Sequence, residues 1–134
     1  MRPTRALISL ALVGLAAGCG GGSGPSGPTP GVLTLTLNTP NTGDGALLFR
    51  VTGGVVDSIA GSAMVLDGSY NTFPGNLTRV VVAGPITDGV IAHLYVPDVG
   101  KVSSYVVTME QVTANSNFAQ RSTAGYSIAV AVAP

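Results

Sequence analysis

The chain has one cysteine and one histidine, so few kinds of reactive chemistry are open to it. Cys19 comes directly after a short apolar run, residues 6–15, which has no charge and follows Arg2 and Arg5. Ten helical residues cover about 15 Å, roughly half of a bilayer's hydrocarbon core, so the run is too short for a stable membrane span. A charged start, an apolar run and small residues after it are typical of a cleaved export signal.

Residues 16–19 read Ala-Ala-Gly-Cys, with Leu15 one position earlier. They resemble the lipobox of bacterial lipoproteins. The resemblance implies cleavage between Gly18 and Cys19 and diacylglyceryl attachment to the Cys19 thiol. An ordinary secretory signal is the alternative, but a lone thiol in an exported protein favours a use for it. The implied location is the bacterial cell envelope, lipid-anchored, and Gly20 implies the outer membrane where the organism has one.

Three regions follow from composition. Residues 1–18 are the predicted signal peptide, and residues 19–31 are the predicted lipidated cysteine with a linker rich in Gly, Pro and Ser. Such a linker is flexible at its glycines and extended at its prolines. It is not a phosphate-binding loop, because no Gly-Lys-Ser/Thr follows it. Residues 32–134 are the predicted folded domain, and their length suits a single core.

The charge of the domain argues against nucleic acid as a partner. Residues 32–134 carry four basic side chains and six acidic ones, a net charge of −2. Nucleic-acid binding needs a cluster of lysines and arginines, and this domain has none. A basic cluster could also have bound anionic lipid headgroups, so without one the covalent lipid is the expected membrane contact.

The domain shows alternation with a period of two, which predicts strands. Leu33, Leu35 and Leu37 share one face of the first strand, and Leu47, Phe49 and Val51 share one face of the second. The predicted strands are residues 32–38, 46–52, 55–60, 63–66, 77–83, 90–96, 102–112 and 126–133. Residues 113–121 are predicted to be a loop. The last strand, apolar on both faces, is predicted to be central rather than an edge that pairs with a partner.

Turn-forming residues separate these strands, for example Gly53-Gly54, Asp67-Gly68 and Asp88-Gly89. About eight short strands at regular spacing predict an all-β fold, a single antiparallel β-sandwich. Segments 45–51, 88–94 and 104–109 resemble strands of cohesin-type jelly-roll modules. The linker and domain together also resemble small bacterial lipoproteins with a Cys-Gly-Gly-Gly tether. These resemblances imply an Ig-like or cohesin-like sandwich, and they indicate no particular activity.

Catalytic groups are scarce. His93 lies mid-strand, and Asp88 and Asp98 flank that strand in sequence, but no Gly-x-Ser-x-Gly elbow accompanies them. One histidine cannot complete a tetrahedral zinc site. Paired carboxylates among Asp67, Asp88, Asp98 and Glu110 would need a deep cleft to hydrolyse glycosides. The protein is therefore predicted not to be an enzyme.

Two ligand-binding alternatives remain. Asn38, Asn41 and Asp44 supply oxygen ligands around one connection and are a candidate calcium site. Tyr70, Asn71 and Phe73, in a predicted loop, are a candidate contact patch for carbohydrate. The preferred prediction is a membrane-anchored envelope lipoprotein whose small domain binds another envelope protein or mediates adhesion, without a cofactor. The alternative is a surface module that binds glycan or calcium.

Overall fold

The computed structural model describes residues 27–62, 65 and 67–134. The predicted signal peptide and Cys19 therefore lie outside the described residues, as do Ala63, Met64 and Leu66 of the predicted fourth strand. The strands are β1 (Gly31–Asn38), β2 (Asp44–Thr52), β3 (Ser58–Gly61), β4 (Asp67–Phe73), β5 (Leu77–Ile86), β6 (Gly89–Val96), β7 (Val106–Ala114), β8 (Gln120–Arg121) and β9 (Ser127–Val132). A 3-10 helix, Val99–Ser104, precedes β7. Within the described ranges, no helix has the length and apolar character needed to cross a membrane.

The strands form two antiparallel sheets around one core. Sheet A has the order β3-β6-β1-β9, and sheet B has the order β4-β5-β2-β7-β8. The pairing is nested, because β4 pairs with β5, β3 with β6, β2 with β7 and β1 with β9. Windings of this kind occur in jelly-roll sandwiches. The predicted all-β sandwich is confirmed.

The core lies where the alternating apolar faces of both sheets meet. Leu33 and Leu35 enter it from sheet A, and Leu47 and Phe49 enter it from sheet B, each with at most 1% of its surface exposed. Burying one such side chain contributes about 1.5–3 kcal/mol to the free energy of unfolding. The predicted inward faces of β1 and β2 are confirmed.

Register shifts break the alternation at several places, and two of them change which residues face the core. The register of β1 on β6 shifts between Leu35 and Thr36, so that Ile91 as well as Ala92 becomes buried. The register of β2 on β7 shifts between Leu48 and Phe49, and Glu110 is the extra residue. Each bulge adds one residue to one strand and so changes which positions point inward. Strict alternation would place Ile91 and Ala92 on opposite faces of β6, whereas the structure buries both.

Three connections differ from the sequence prediction. The predicted strand at 102–112 begins only at Val106, because the Asp98 side chain accepts a hydrogen bond from the N–H of Gly100 and starts the 3-10 helix. The predicted loop at 113–121 contains the end of β7 and all of β8. Residues 70–73, predicted as a loop, belong to β4 and pair with residues 77–80 of β5.

The strand directions give the sandwich two distinct ends. Residues 27–30 enter at the linker end, together with loops 53–57, 74–76 and 97–105. The Thr29 carbonyl accepts a hydrogen bond from the N–H of Val99 (2.8 Å), and the Thr29 N–H donates to Asp98 Oδ1 (3.3 Å). Loops 39–43, 87–88, 115–119 and 122–126 form the opposite end, here called the distal end.

A tyrosine closes the linker end. Tyr105 is 6% exposed, and its hydroxyl donates a 2.7 Å hydrogen bond to the carbonyl of Val55. Gly53 makes this approach feasible, since its φ is +91° and a Cβ there would collide with the Ser104 carbonyl. One phenol thus joins the β2–β3 loop to the start of β7.

Tyr105→Phe should lower the free energy of unfolding by about 0.5–1.5 kcal/mol, because the hydrogen bond from the phenol to the Val55 carbonyl is lost. Burial, and then the negative charges of Asp57 and Asp98, raise the pKa of Tyr105 above its ordinary value of 10.0. The unfolded phenol therefore releases its proton first, and the folded state loses stability as the pH rises through about 10 and on to the folded-state pKa. Chemical denaturation of both proteins at several pH values from about 7 to about 11 measures this loss. The Phe variant should show a shallower alkaline loss, and identical pH slopes would contradict the assignment.

Candidate functional site

The most connected polar group of the described residues lies at the distal end, around Asp44. This side chain starts β2 and is completely buried. Its Oδ1 accepts hydrogen bonds from Arg121 Nη1 and from the Tyr126 hydroxyl, both at 2.8 Å, and its Oδ2 accepts one from Thr39 Oγ1 at 2.7 Å. We call Thr39, Asp44, Arg121 and Tyr126 the Asp44 cluster.

The fold brings this cluster together from three separate parts of the chain. Thr39 follows β1, Arg121 ends β8, and Tyr126 precedes β9. Arg121 Nη1 also donates to the carbonyl of Thr42 at 3.0 Å, and the Thr39 N–H donates to Asp88 Oδ1 at 2.6 Å. The cluster therefore fastens the distal loops to one another across the end of the core.

The electrostatics of the cluster are those of a buried ion pair. Arg121 lies 2.8 Å from Asp44 and keeps 29% of its own side chain exposed. A buried carboxylate needs a compensating positive charge, and the guanidinium supplies it. Both carboxylate oxygens already accept hydrogen bonds from protein donors.

This geometry bears on the candidate calcium site. Asn38 pairs with Ser127 between β1 and β9. The Asn41 amide donates through its nitrogen to the Tyr126 hydroxyl at 3.0 Å. Over the ranges that the structure describes, no three His, Cys, Asp or Glu side chains gather in a way that could hold a metal ion. The arrangement favours a structural ion pair at Asp44 over a cation site.

The three residues of the candidate carbohydrate patch are adjacent but do not form one surface. Tyr70 pairs with the buried Val80, whereas Phe73 pairs with Leu77 at the turn into β5. The two aromatic residues are an odd number of positions apart, so their side chains leave opposite faces of β4. Each is partly exposed, 40% for Tyr70 and 42% for Phe73.

Tyr70 instead lines a cavity of about 320 Å³. The cavity opens where the edge strands β3 and β4 face each other, and its described lining includes Ile59, Val65, Val80 and Val82. Phe73 borders a separate depression of about 140 Å³ with Val55 and Val56 at the linker end. The two aromatic rings therefore belong to different surfaces of the domain.

The residues with catalytic potential are also kept apart. His93 lies on the outer face of β6, paired with Thr34 on one side and Ala60 on the other. Asp88 is engaged at the distal end, and Asp98 is engaged at the linker end. Glu110 contacts Arg79 at 3.2 Å on the outer face of sheet B. These positions do not form a triad or a carboxylate pair.

The outer faces of the two sheets differ in charge. Sheet B presents Arg50 and Arg79, which are directly opposite each other, with Glu110 between them. The four strands of sheet A contain no Asp, Glu, Lys or Arg. The outer positions of sheet A are mainly Thr, Ala and Ser, with the half-exposed Tyr95 among them.

The partners of Asp44 and the edge position of β9 were not predicted from the sequence. The sequence did indicate that Asp44 needs a basic partner, because an acidic residue at the start of an apolar strand requires a cation. Residues 32–134 have only four basic residues that could supply it. The predicted central position of the last strand is wrong, since among the described strands β9 pairs only with β1 and forms an edge of sheet A. Its outward residues Ala129 and Ala131 are apolar yet exposed, so the sequence pattern of β9 resembles that of a strand buried on both faces.

Comparisons with known proteins found no matching family profile, no matching curated protein and no matching solved structure.

Proposed function

We propose that this protein is a lipid-anchored envelope lipoprotein whose β-sandwich acts by binding protein rather than by catalysis. The observation that supports binding most directly is sheet A, with no ionic side chain in any of its four strands. Desolvating ions on contact is costly, so a surface of Thr, Ala and Tyr loses little when a partner covers it. The Ala-Ala-Gly-Cys sequence at 16–19 supports the anchor.

The distribution of polar groups agrees with this choice over a ligand site. Asp44 is neutralised by Arg121, and the aromatic rings of Tyr70 and Phe73 leave opposite faces of β4. The edge strand β9, by contrast, is uncharged, and of the strands that the structure describes only β1 pairs with it. An Ig-like or cohesin-like relationship belongs to the same proposal, because sandwiches of those types commonly present binding surfaces on sheets and edges.

Cys19→Ser should release the protein from membranes while leaving the domain folded, since residue 19 precedes the described sandwich. Cells grown with a labelled fatty acid are fractionated, and label and protein are measured in the membrane pellet. The parent protein should carry label and sediment with membranes, and the variant should do neither. Ser23→Ala, in the linker, is the matched control and should behave like the parent. Equal membrane association of the parent and Cys19→Ser would reject the anchor.

A further inference from the structure

The edges of the two sheets are protected unequally. β3 has only four residues and follows Asp57, β4 is followed by Pro74, and β8 has only two residues and contains Arg121. Short length, charge and proline are the usual means of preventing an edge from pairing with another chain. β9 has six residues, Ser-Ile-Ala-Val-Ala-Val, with no charge and no proline, and its register on β1 has no bulge.

The hydrogen-bonding pattern shows which groups β9 presents at its edge. The Ala133 N–H donates to the carbonyl of Val32 at 2.9 Å, so Ala133 directs its backbone groups toward β1. Direction alternates along an antiparallel pair, so Ala131 and Ala129 also face β1. Ile128, Val130 and Val132 then direct their N–H and C=O groups away from β1. In the part of the chain that the structure describes, no strand pairs with that side.

We propose that this edge pairs with β9 of a second copy of the chain, antiparallel about a two-fold axis at Val130. The register follows from the alternation. Val130 exchanges hydrogen bonds with its own counterpart, and Ile128 pairs with Val132 of the second copy. Ala129 then lies opposite the second copy's Ala131 on the outer face. Two four-stranded sheets thereby become one sheet of eight strands.

A second copy fits this edge because β9 is compatible with its own reverse. Any register that keeps inner residues opposite inner residues joins Ile or Val to Ile or Val on the inner face, and small residues, Ala or Ser, to one another on the outer face. No like charges meet across the axis, because the strand has none. An interface in which one patch meets its own copy is the usual arrangement in homodimers. A second copy of the chain would then be the binding partner in the proposed function. This pairing rests on the proposal that the domain binds protein, and it does not depend on the lipid anchor.

The first test compares two valine-to-lysine substitutions at similarly exposed strand positions, Val132 (47%) in β9 and Val106 (55%) in β7. Both are made in the full chain carrying Cys19→Ser, in a non-ionic detergent, and association is measured by sedimentation equilibrium. Val132→Lys places two ammonium groups at the proposed interface and should weaken dimerisation at least about tenfold, about 1.4 kcal/mol or more. Val106→Lys should dimerise like the parent. A monomeric parent, or equal effects of the two substitutions, would overturn the proposal.

The second test checks the register and does not depend on affinity. Ala129→Cys and Ala131→Cys, each in the full chain with Cys19→Ser and with tags of different size, are oxidised alone and as a mixture. The proposed pairing brings residue 129 of one copy within disulfide distance of residue 131 of the other, at about 4.5 Å between Cα atoms. The mixed dimer should form fastest. Equal rates for all combinations would reject this register.

These tests separate the two proposals, because the variants used for dimerisation lack the Cys19 thiol. Register-specific cross-linking together with unlabelled parent protein would support the β9 pairing and reject the anchor. Labelled, membrane-bound parent protein without cross-linking would support the anchor and reject the pairing.

Discussion

Leu35→Asp should abolish the fold of residues 32–134. Leu35 is fully buried at the centre of β1, and β1 is hydrogen-bonded on both sides, to β6 and to β9. The substitution removes an apolar side chain worth about 1.5–3 kcal/mol and places a charge in the apolar core, which costs several kcal/mol more. Small domains are stable by only about 5–15 kcal/mol in total, so the loss approaches the whole.

Circular dichroism and chemical denaturation measure this effect. The Leu35→Asp chain should lack a cooperative unfolding transition at 25 °C, a standard temperature for such measurements. Thr36→Asp is the matched control, because Thr36 is the next residue and its side chain is exposed. The control should retain the transition with a change of about 1 kcal/mol or less. A Leu35→Asp protein that melts cooperatively near the parent would show that β1 does not face the core.

Asp44→Ala should be the second most damaging change, with a loss of about 3 kcal/mol in the free energy of unfolding. The substitution deprives Arg121, Tyr126 and Thr39 of their common acceptor at a position with no solvent exposure. We expect a value near the lower end of the range for broken buried pairs, because the guanidinium of Arg121 keeps 29% of its surface in water.

A double-mutant cycle isolates the ion pair from the rest of the cluster. Asp44→Ala, Arg121→Ala and the double variant are unfolded in denaturant, and the coupling energy should be at least about 1 kcal/mol. Asp88→Ala is the control, because this exposed carboxylate accepts one hydrogen bond from the Thr39 N–H and should cost about 1 kcal/mol. If Asp44→Ala destabilised no more than Asp88→Ala, the cluster would not fasten the distal end as proposed.

Alternation along the chain was sufficient to predict the strands that form the centre of each sheet. Leu33, Leu35 and Leu37 follow a strict period of two over a regular stretch of β1, and hydrophobicity decides such a pattern locally. The same rule failed at Ile91 and around Glu110, where bulges add a residue. A bulge depends on the pairing partner, so a pattern read along one strand cannot reveal it.

The edges and the candidate site were harder to predict for a related reason. β4 carries Asn71 and Thr72 next to aromatic residues, which resembles a loop, and it becomes a strand only through its pairing with β5. β9 looks buried in the sequence because its outward residues are alanines. The contact of Asp44 with Arg121 joins residues 77 positions apart. Such long-range partners are fixed by topology, and composition can only indicate that Asp44 needs one.

The attachment of Thr29 at the linker end limits how a pair of these domains can be oriented. If Cys19 holds the bilayer, nine residues, 20–28, lie between the anchor and Thr29, and nine residues span at most about 30 Å. Antiparallel β9 strands place the two Thr29 residues at opposite ends of the dimer. Two linkers of this length reach the same bilayer most readily when the β9 strands run parallel to the membrane plane and the two-fold axis lies along the membrane normal. A single copy is free to stand upright, so dimerisation would lay the domains flat and turn one broad side of the joined sheet toward the lipid headgroups.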